Sequence, residues 1–400
     1  MEIKLETNVN SVTSMDNLRI AWLVPSVELG AYWQPVLAEF IKKFKNTIFY
    51  TGQVWPEFEP QTPGANIIQV VGKMRPIQIK KTTTGYNRSF MYLSPGIVGD
   101  LLRFKPDIVF AQAFSLWTLL ALLLKPWVKW RFIIIYDGSS PNSDFQDSKI
   151  RSFLRRMIAR FSDAFVANSH GAKAYLMQAL GAKEDSIFTR TYLVPDAKTL
   201  GQHLERTELA ELQLQRPIFL YVGRITSRKG IKSLLEACSI LQTEGYRDYS
   251  LLIIGTGDQR QELEAFVQDN QLEDIVTWVG WVDYGHLGSY FQQTDVFIFP
   301  TFEDLWGMVV LEAMVFGKPI LCSKWAGAAE MVVEGENGYI FDPYSPPDLA
   351  VLMCRFLDHP DLITPMGQRS QQLIAQTTPQ TAAESFTEVV SSVMANGQSG

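Results

Sequence analysis

Two cations and two carboxylates are spaced so as to do chemistry together. Arg224 and Lys229 lie five residues apart in Gly223-Arg-Ile-Thr-Ser-Arg-Lys-Gly230, directly after the apolar run Ile218–Gly223. Two cations on one strand-to-helix turn can neutralise a diphosphate without a metal. The alternative is a solvated basic turn. The spacing Gly-x-x-x-x-Gly-Lys-Ser/Thr is absent, so this is not an ATPase phosphate loop. Gly255-Thr-Gly257 opens like a dinucleotide fingerprint, but Arg260 stands where the third glycine is needed. Asp304 and Glu312 flank Gly307, where a helix is expected to begin. The start of a helix offers free amides to an anion, and the two carboxylates can accept hydroxyls on either side of it. Sugar hydroxyls, diphosphate and ribose hydroxyls follow one another in this way in a nucleotide sugar. The alternatives are a helix cap for Asp304 and a satisfied inter-helix carboxylate for Glu312.

These residues must be held by strands and helices that alternate. In the first half, short runs at Arg19–Pro25, Asn46–Thr51, Ile67–Val71, Asp107–Ala113, Arg131–Tyr136 and Ala164–Asn168 read as buried parallel strands. The second half repeats this at Ile218–Gly223, Leu251–Gly255, Ile275–Gly280, Asp295–Pro300 and Pro319–Ser323. Helical patterns fill the gaps, among them Ser148–Phe161 and Trp306–Phe316. About eleven strands are too many for one typical sheet. The pattern predicts an α/β protein of two Rossmann-like domains facing a cleft. The predicted division is 1–205, 206–365 and a returning C-terminal helix with a frayed tail over 366–400. Lys73–Pro95 has five cations and no acid and reads as a long exposed loop.

Composition narrows the class. The 400 residues are 46% hydrophobic and 20% charged, which excludes disorder as the main state. Three cysteines make no disulfide framework and suggest a reducing, cytoplasmic setting. The polar, acidic start is not that of a secretory signal, and no apolar stretch has the roughly 20 residues of a spanning helix. The net charge of −6 is split, with +8 in residues 1–200 and −14 in residues 201–400.

Taken together, GRITSRKG, EDLWGMVVLEAM and GAAEMVVEGENGYIFDP resemble the retaining glycosyltransferases of the GT-B fold, glycosyltransferase family 4. The resemblance is strong over Ile218–Pro343 and looser over Arg19–Pro195. It implies a hexosyl transfer from a nucleotide-diphosphate sugar to a saccharide or lipid-linked hydroxyl, with no metal or other cofactor and no nucleic-acid partner. It implies that Arg224 and Lys229 hold the diphosphate, with Gly223 beside them. Backbone at Gly307, Met308 and Val309 would touch phosphate, and Trp281 and Val282 would lie near the base. The family carries two Glu separated by seven residues. Here Asp304 replaces the first, which would contact the donor sugar, and Glu312 matches the second, which would contact the ribose. A nucleotide-sugar epimerase or a non-catalytic binding homologue on the same fold are the alternatives; the carboxylate spacing argues against the epimerase.

In the first half the family's Gly-rich loop corresponds to Val27-Glu-Leu-Gly30-Ala31-Tyr32, with a single glycine. Asp137 stands where the family often has a cleft histidine. It either binds a sugar hydroxyl or caps its loop. His170 is the histidine expected nearest the cleft. Lys229→Ala is expected to lower turnover strongly with little unfolding. The basic half is the expected acceptor half. Its helix SKIRSFLRRMIAR and the segment Lys125–Arg131 combine apolar, tryptophan and basic residues, which suits peripheral contact with an anionic membrane. The alternative is a helix that turns its apolar side to the core and its basic side to water.

Overall fold

β-Branched and aromatic runs too short for helices pair into two parallel sheets, and amphipathic runs between them cover both faces. A computed structural model describes residues 15–25, 30–55, 58, 60–80, 88–144, 148–201 and 214–396. In the first sheet are β1 (Ile20–Leu23), β2 (Thr47–Thr51) and β3 (Ile68–Val70). A separate antiparallel hairpin follows, β4 (Arg75–Lys80) and β5 (Arg88–Tyr92). The first sheet resumes with β6 (Ile108–Gln112), β7 (Arg131–Tyr136), β8 (Ala164–Ala167) and β9 (Ile187–Thr189). Its order is β3-β2-β1-β6-β7-β8-β9, with Ile20 of β1 opposite Thr47 on one side and Ile108 on the other.

The second sheet holds β10 (Ile218–Val222), β11 (Ser250–Ile254), β12 (Val276–Gly280), β13 (Val296–Phe299), β14 (Ile320–Ser323) and β15 (Gly338–Phe341). Its order is β12-β11-β10-β13-β14-β15. In both sheets the order reverses beside the first strand, between β1 and β6 and between β10 and β13. Ligands of doubly wound sheets bind outside the strand ends at such a reversal.

The helices of the first half are α1 (Gly30–Phe40), α2 (Ile97–Phe104), α3 (Leu116–Val128), α4 (Pro141–Asp144), α5 (Lys149–Phe161), α6 (His170–Gln178) and α7 (Ala197–Leu200). Those of the second are α8 (Ile231–Thr243), α9 (Arg260–Asp269), α10 (Leu287–Gln293), α11 (Met308–Val315), α12 (Pro346–Asp358), α13 (Ile363–Ile374) and α14 (Pro379–Asn396). α13 packs on α11, whereas α14 crosses to the first sheet and packs on α1. There Phe386 meets Trp22, Phe110 and Trp33 at 4.8, 5.5 and 5.7 Å between ring centroids. This aromatic cluster, with Val389 and Val390 fully buried, anchors the last helix to the first sheet.

The structure corrects the reading of Lys73–Pro95 as one long loop. Arg75–Lys80 and Arg88–Tyr92 pair instead, with Arg75 opposite Tyr92. The period-2 alternation of Arg-Pro-Ile-Gln-Ile-Lys carries that pairing, and charge along the segment had hidden it. Residues 81–87, 27–29 of the expected Gly-rich loop, the linker 202–213 and the tail 397–400 lie outside the described residues. β9 and β15 also go beyond the expected strands.

Candidate functional site

The loops after β10 and β13 touch at the reversal of the second sheet. Gly230 has φ 70°, and a Cβ there would fall on the Pro300 carbonyl oxygen. Only glycine permits both the turn and this approach. The contact sets Lys229 against Asp304, with Nζ 2.6 Å from Oδ2. Lys229 also lies over the Phe299 ring at 4.8 Å. Arg228 reaches the same oxygen at 3.3 Å. Burial raises the Asp304 carboxyl, but the charges of Lys229 and then Arg228 outweigh it and hold the group below its ordinary value. Arg224 is exposed, and among the described residues it makes no ion pair.

This changes one expectation. Lys229 is not a lysine that can be removed with little unfolding, because it neutralises a buried carboxylate. Loss of one partner of a buried pair leaves an uncompensated charge.

Beyond Asp304 the chain is stitched to the segment Trp325–Ala328. Asp304 donates its amide to Trp325 O at 3.1 Å, and Gly327 donates to Asp304 O at 3.1 Å. Gly307 then caps α11 at φ 101°. The opening amides at Met308 and Val309 precede the first intrahelical bond, which Val310 makes to Gly307 O. Glu312, one turn further, is buried. Its Oε1 accepts the Tyr32 hydroxyl at 3.2 Å. Burial pushes the Glu312 carboxyl up to about 7, against the lowering by Tyr32 and Tyr284. Tyr284 acts at longer range, since its own hydroxyl reaches no acceptor at hydrogen-bond distance. Trp281 stands 69% exposed just past β12, with Val282 half-buried beside it. The segment 281–284 therefore runs from an open indole to the wall around Glu312.

The first half supplies the opposite wall. Gly30 opens α1, and Tyr32 lies within its first turn. Asp137 is buried at the end of β7 with both oxygens occupied, Oδ1 by Tyr192 Oη and Oδ2 by Gln112 Nε2, each at 2.7 Å. Burial raises it to about 6 although both donors lower it. It supports the wall from behind; the next residue, Gly138, forms the contact. A Cβ on Gly138 would fall on the Leu305 carbonyl oxygen.

Three further contacts span the cleft. Glu303 accepts the amide and the side-chain Nδ2 of Asn142, both at 2.9 Å. Trp306 Nε1 donates to Leu193 O at 3.1 Å. Glu330 accepts the amides of His170 and Gly171 at 2.9 Å, and its Oε2 lies 3.1 Å from His170 Nδ1. His170 thus lies at the rim, paired to the opposite wall.

Arg224, Lys229, Asp304, Met308, Val309 and Glu312 therefore share one end of the second sheet. Sequence reasoning missed Tyr32, Tyr284, Arg228 and Glu330, and it set Glu303 aside as one residue out of register with the carboxylate pair. Arg228, Glu303 and Glu330 sit inside the quoted segments and their charge was a usable signal. Tyr32 ends the expected Gly-rich loop, but its partner is 280 residues away.

The arrangement sets cations and free helix amides, groups able to bind an anion, beside carboxylates able to accept hydroxyls. Residues 206–373 match the family model described as "Glycosyl transferases group 1". The alpha-D-kanosaminyltransferase of Streptomyces kanamyceticus is 31% identical over 45% of this chain and 46% of its own. The D-inositol 3-phosphate glycosyltransferase of Pseudarthrobacter chlorophenolicus is 30% identical over 37% of this chain and 36% of its own. The matched stretches span less than half the length of these curated relatives. Among solved structures, Anabaena HepE in complex with UDP superposes with a TM-score of 0.75 at 16% identity, covering 94% of this chain and 100% of that one. A sucrose-phosphate synthase from Thermosynechococcus elongatus gives 0.74 at 18%, covering 95% and 100%. These likenesses show the two-domain GT-B fold.

Proposed function

We propose that this chain, whose residues 206–373 belong to the glycosyl transferases group 1 family, is a retaining glycosyltransferase. It moves a hexosyl group from a nucleotide-diphosphate sugar to a saccharide or lipid-linked hydroxyl in glycan, exopolysaccharide or glycolipid synthesis. The observation that carries this reading is the meeting of Lys229, the α11 amides, Asp304 and Glu312 at one sheet reversal. In this reading 1–205 is the acceptor domain and 206–365 the donor domain; of the 366–400 segment read as the return, α13 stays with the donor domain and α14 makes the crossing, and the protein works on the cytoplasmic side.

Arg224 and Lys229 hold the diphosphate, with Gly223 leaving room for it. The amides at Gly307, Met308 and Val309 complete the cradle. Trp281 and Val282 flank the base, and Glu312 accepts the ribose hydroxyls. Asp304 faces the sugar. An entering diphosphate competes with Asp304 for Lys229, which frees that carboxylate for a sugar hydroxyl. The acceptor oxygen bonds to the anomeric carbon as the bond from that carbon to the diphosphate oxygen breaks, on the same face. The acceptor's proton passes to the departing diphosphate. The cradle cations stabilise the charge that develops on it. Asp137 and His170 are the wall and rim of the acceptor side, with Gly30 at the start of α1.

A second reading, binding without transfer, draws support from the hold of Lys229 and Arg228 on Asp304. A thermal-shift screen against UDP-, GDP- and ADP-sugars tests for a donor, since a ligand of the native state raises its stability. Release of free sugar or its transfer by the pure protein decides between the readings. No shift with any of the three rejects both.

A further inference from the structure

Helix α5 is mounted with its apolar side outward. Ile150, Phe153, Leu154, Met157 and Phe161 recur at the spacing that places them in one stripe. In an ordinary crossover helix such a stripe packs on the sheet. Here Ile158 and Ala159 face inward, and the stripe faces water: Ile150 is 75% exposed and Phe153 60%. Arg155 fixes this rotation. Its guanidinium donates to Ser143 O at 2.9 Å, to Asp144 O at 2.8 Å and to the Tyr175 hydroxyl at 2.8 Å, and it lies over the Phe114 ring. The alternative of a core-facing apolar side is therefore not what the fold adopts.

The neighbouring α3 continues the feature. Lys125 near its end donates to Phe161 O at 2.9 Å and ties the two helices together. One turn apart, α3 exposes Leu123 and Trp127, the latter at 78%. Contiguous apolar surface of this kind on a soluble domain marks a contact site. Charge says what kind. Neither α3 nor α5 contains an Asp or Glu. Lys149, Arg156 and Arg160 line one flank of the stripe, and Lys129 caps α3. Exposed tryptophan and phenylalanine bordered by cations complement a bilayer interface that carries negative head groups.

We propose that the α3–α5 face docks the protein on an anionic lipid bilayer, with the stripe entering the head-group layer and the lysines and arginines meeting lipid phosphates. Both helices begin at the cleft-side strand ends, where Asn142, just before α5, touches Glu303, and run away from it. A docked bilayer would thus lie along the flank of the first domain. The link to a lipid-linked acceptor rests on the glycosyltransferase reading; the docking does not.

Flotation of the full chain with vesicles tests it. Binding to phosphatidylglycerol-containing vesicles at low salt should exceed binding to phosphatidylcholine vesicles roughly tenfold and fall as salt rises. Phe153→Asp with Trp127→Asp should reduce binding roughly tenfold. Arg156→Glu with Arg160→Glu should remove the preference for anionic lipid. Both double variants should keep the wild-type thermal midpoint and the wild-type response to nucleotide sugars, which separates this result from failure of the donor assignment. No flotation of the wild type, or flotation untouched by either pair, overturns the proposal. So does a dimer seen by light scattering that Phe153→Asp abolishes, which would give the face to a second copy.

Discussion

The two sheets share one topology and present opposite chemistry at their facing ends. At the second sheet the groups are ionic and local. Lys229 and Arg228 meet Asp304 across two adjoining loops, and Arg224 stands open beside them. At the first sheet the groups are tied into hydrogen bonds from uncharged donors. Tyr192 and Gln112 saturate Asp137, and Asn168 Oδ1 accepts the amides of Tyr192 and Leu193 at 2.9 Å. The same strand reversal thus makes one wall able to exchange partners with an anion and one wall that keeps its shape. Net charge runs the other way, +8 for residues 1–200 and −14 for residues 201–400. The positive charge of the first half is therefore not at the cleft wall; much of it lines α5.

The largest test of this contrast is Lys229→Ala. Removing the partner of buried Asp304 should destabilise the protein by about 3 kcal/mol in chemical denaturation, besides abolishing donor response. Unchanged stability would mean that the ionic wall is a surface feature. Glu312→Gln should do the reverse. A buried carboxyl raised to about 7 from its ordinary 4.5 stabilises the fold while protonated, and that contribution is lost as pH climbs from 4.5 through 7. The glutamine variant should therefore gain about 2 kcal/mol over wild type at pH 8, little at pH 4, and bind donor poorly. A gain that is equal at both values would remove the carboxyl as its source. Tyr32→Phe should have the smallest effect. It deletes one hydrogen bond across the cleft, worth about 1 kcal/mol. It should also move the pH-dependent loss upward, because Tyr32 lowers Glu312. Thermal midpoints across pH read both, and an unmoved profile would deny the contact a role.

The same contrast explains what could be read from the chain. The Arg224–Gly230 and Asp304–Glu312 segments were legible because each gathers its charged residues in one short stretch beside a clear strand. Strands β10 to β14 were legible as short apolar runs. The opposing wall was not, since Tyr32, Asn142 and Gly171 owe their roles to contacts 159 to 280 residues away. The hairpin β4–β5 was hidden by its cations. Apolar spacing gave the stripe on α5 but not its direction. The direction depends on Arg155, a charged residue that packs inward because Ser143, Asp144 and Tyr175 offer it acceptors.

The central claim is that the loop after β10 and the start of α11 hold a nucleoside diphosphate. Calorimetric titration of UDP, GDP and ADP into the wild type and Arg224→Ala tests it most directly. Arg224 is exposed and makes no ion pair among the described residues, so its removal should leave stability within about 0.5 kcal/mol. The wild type should bind one of the three, and the variant should bind it at least roughly tenfold more weakly. Equal affinity in the two proteins, or no binding of any of the three to the wild type, would contradict the account.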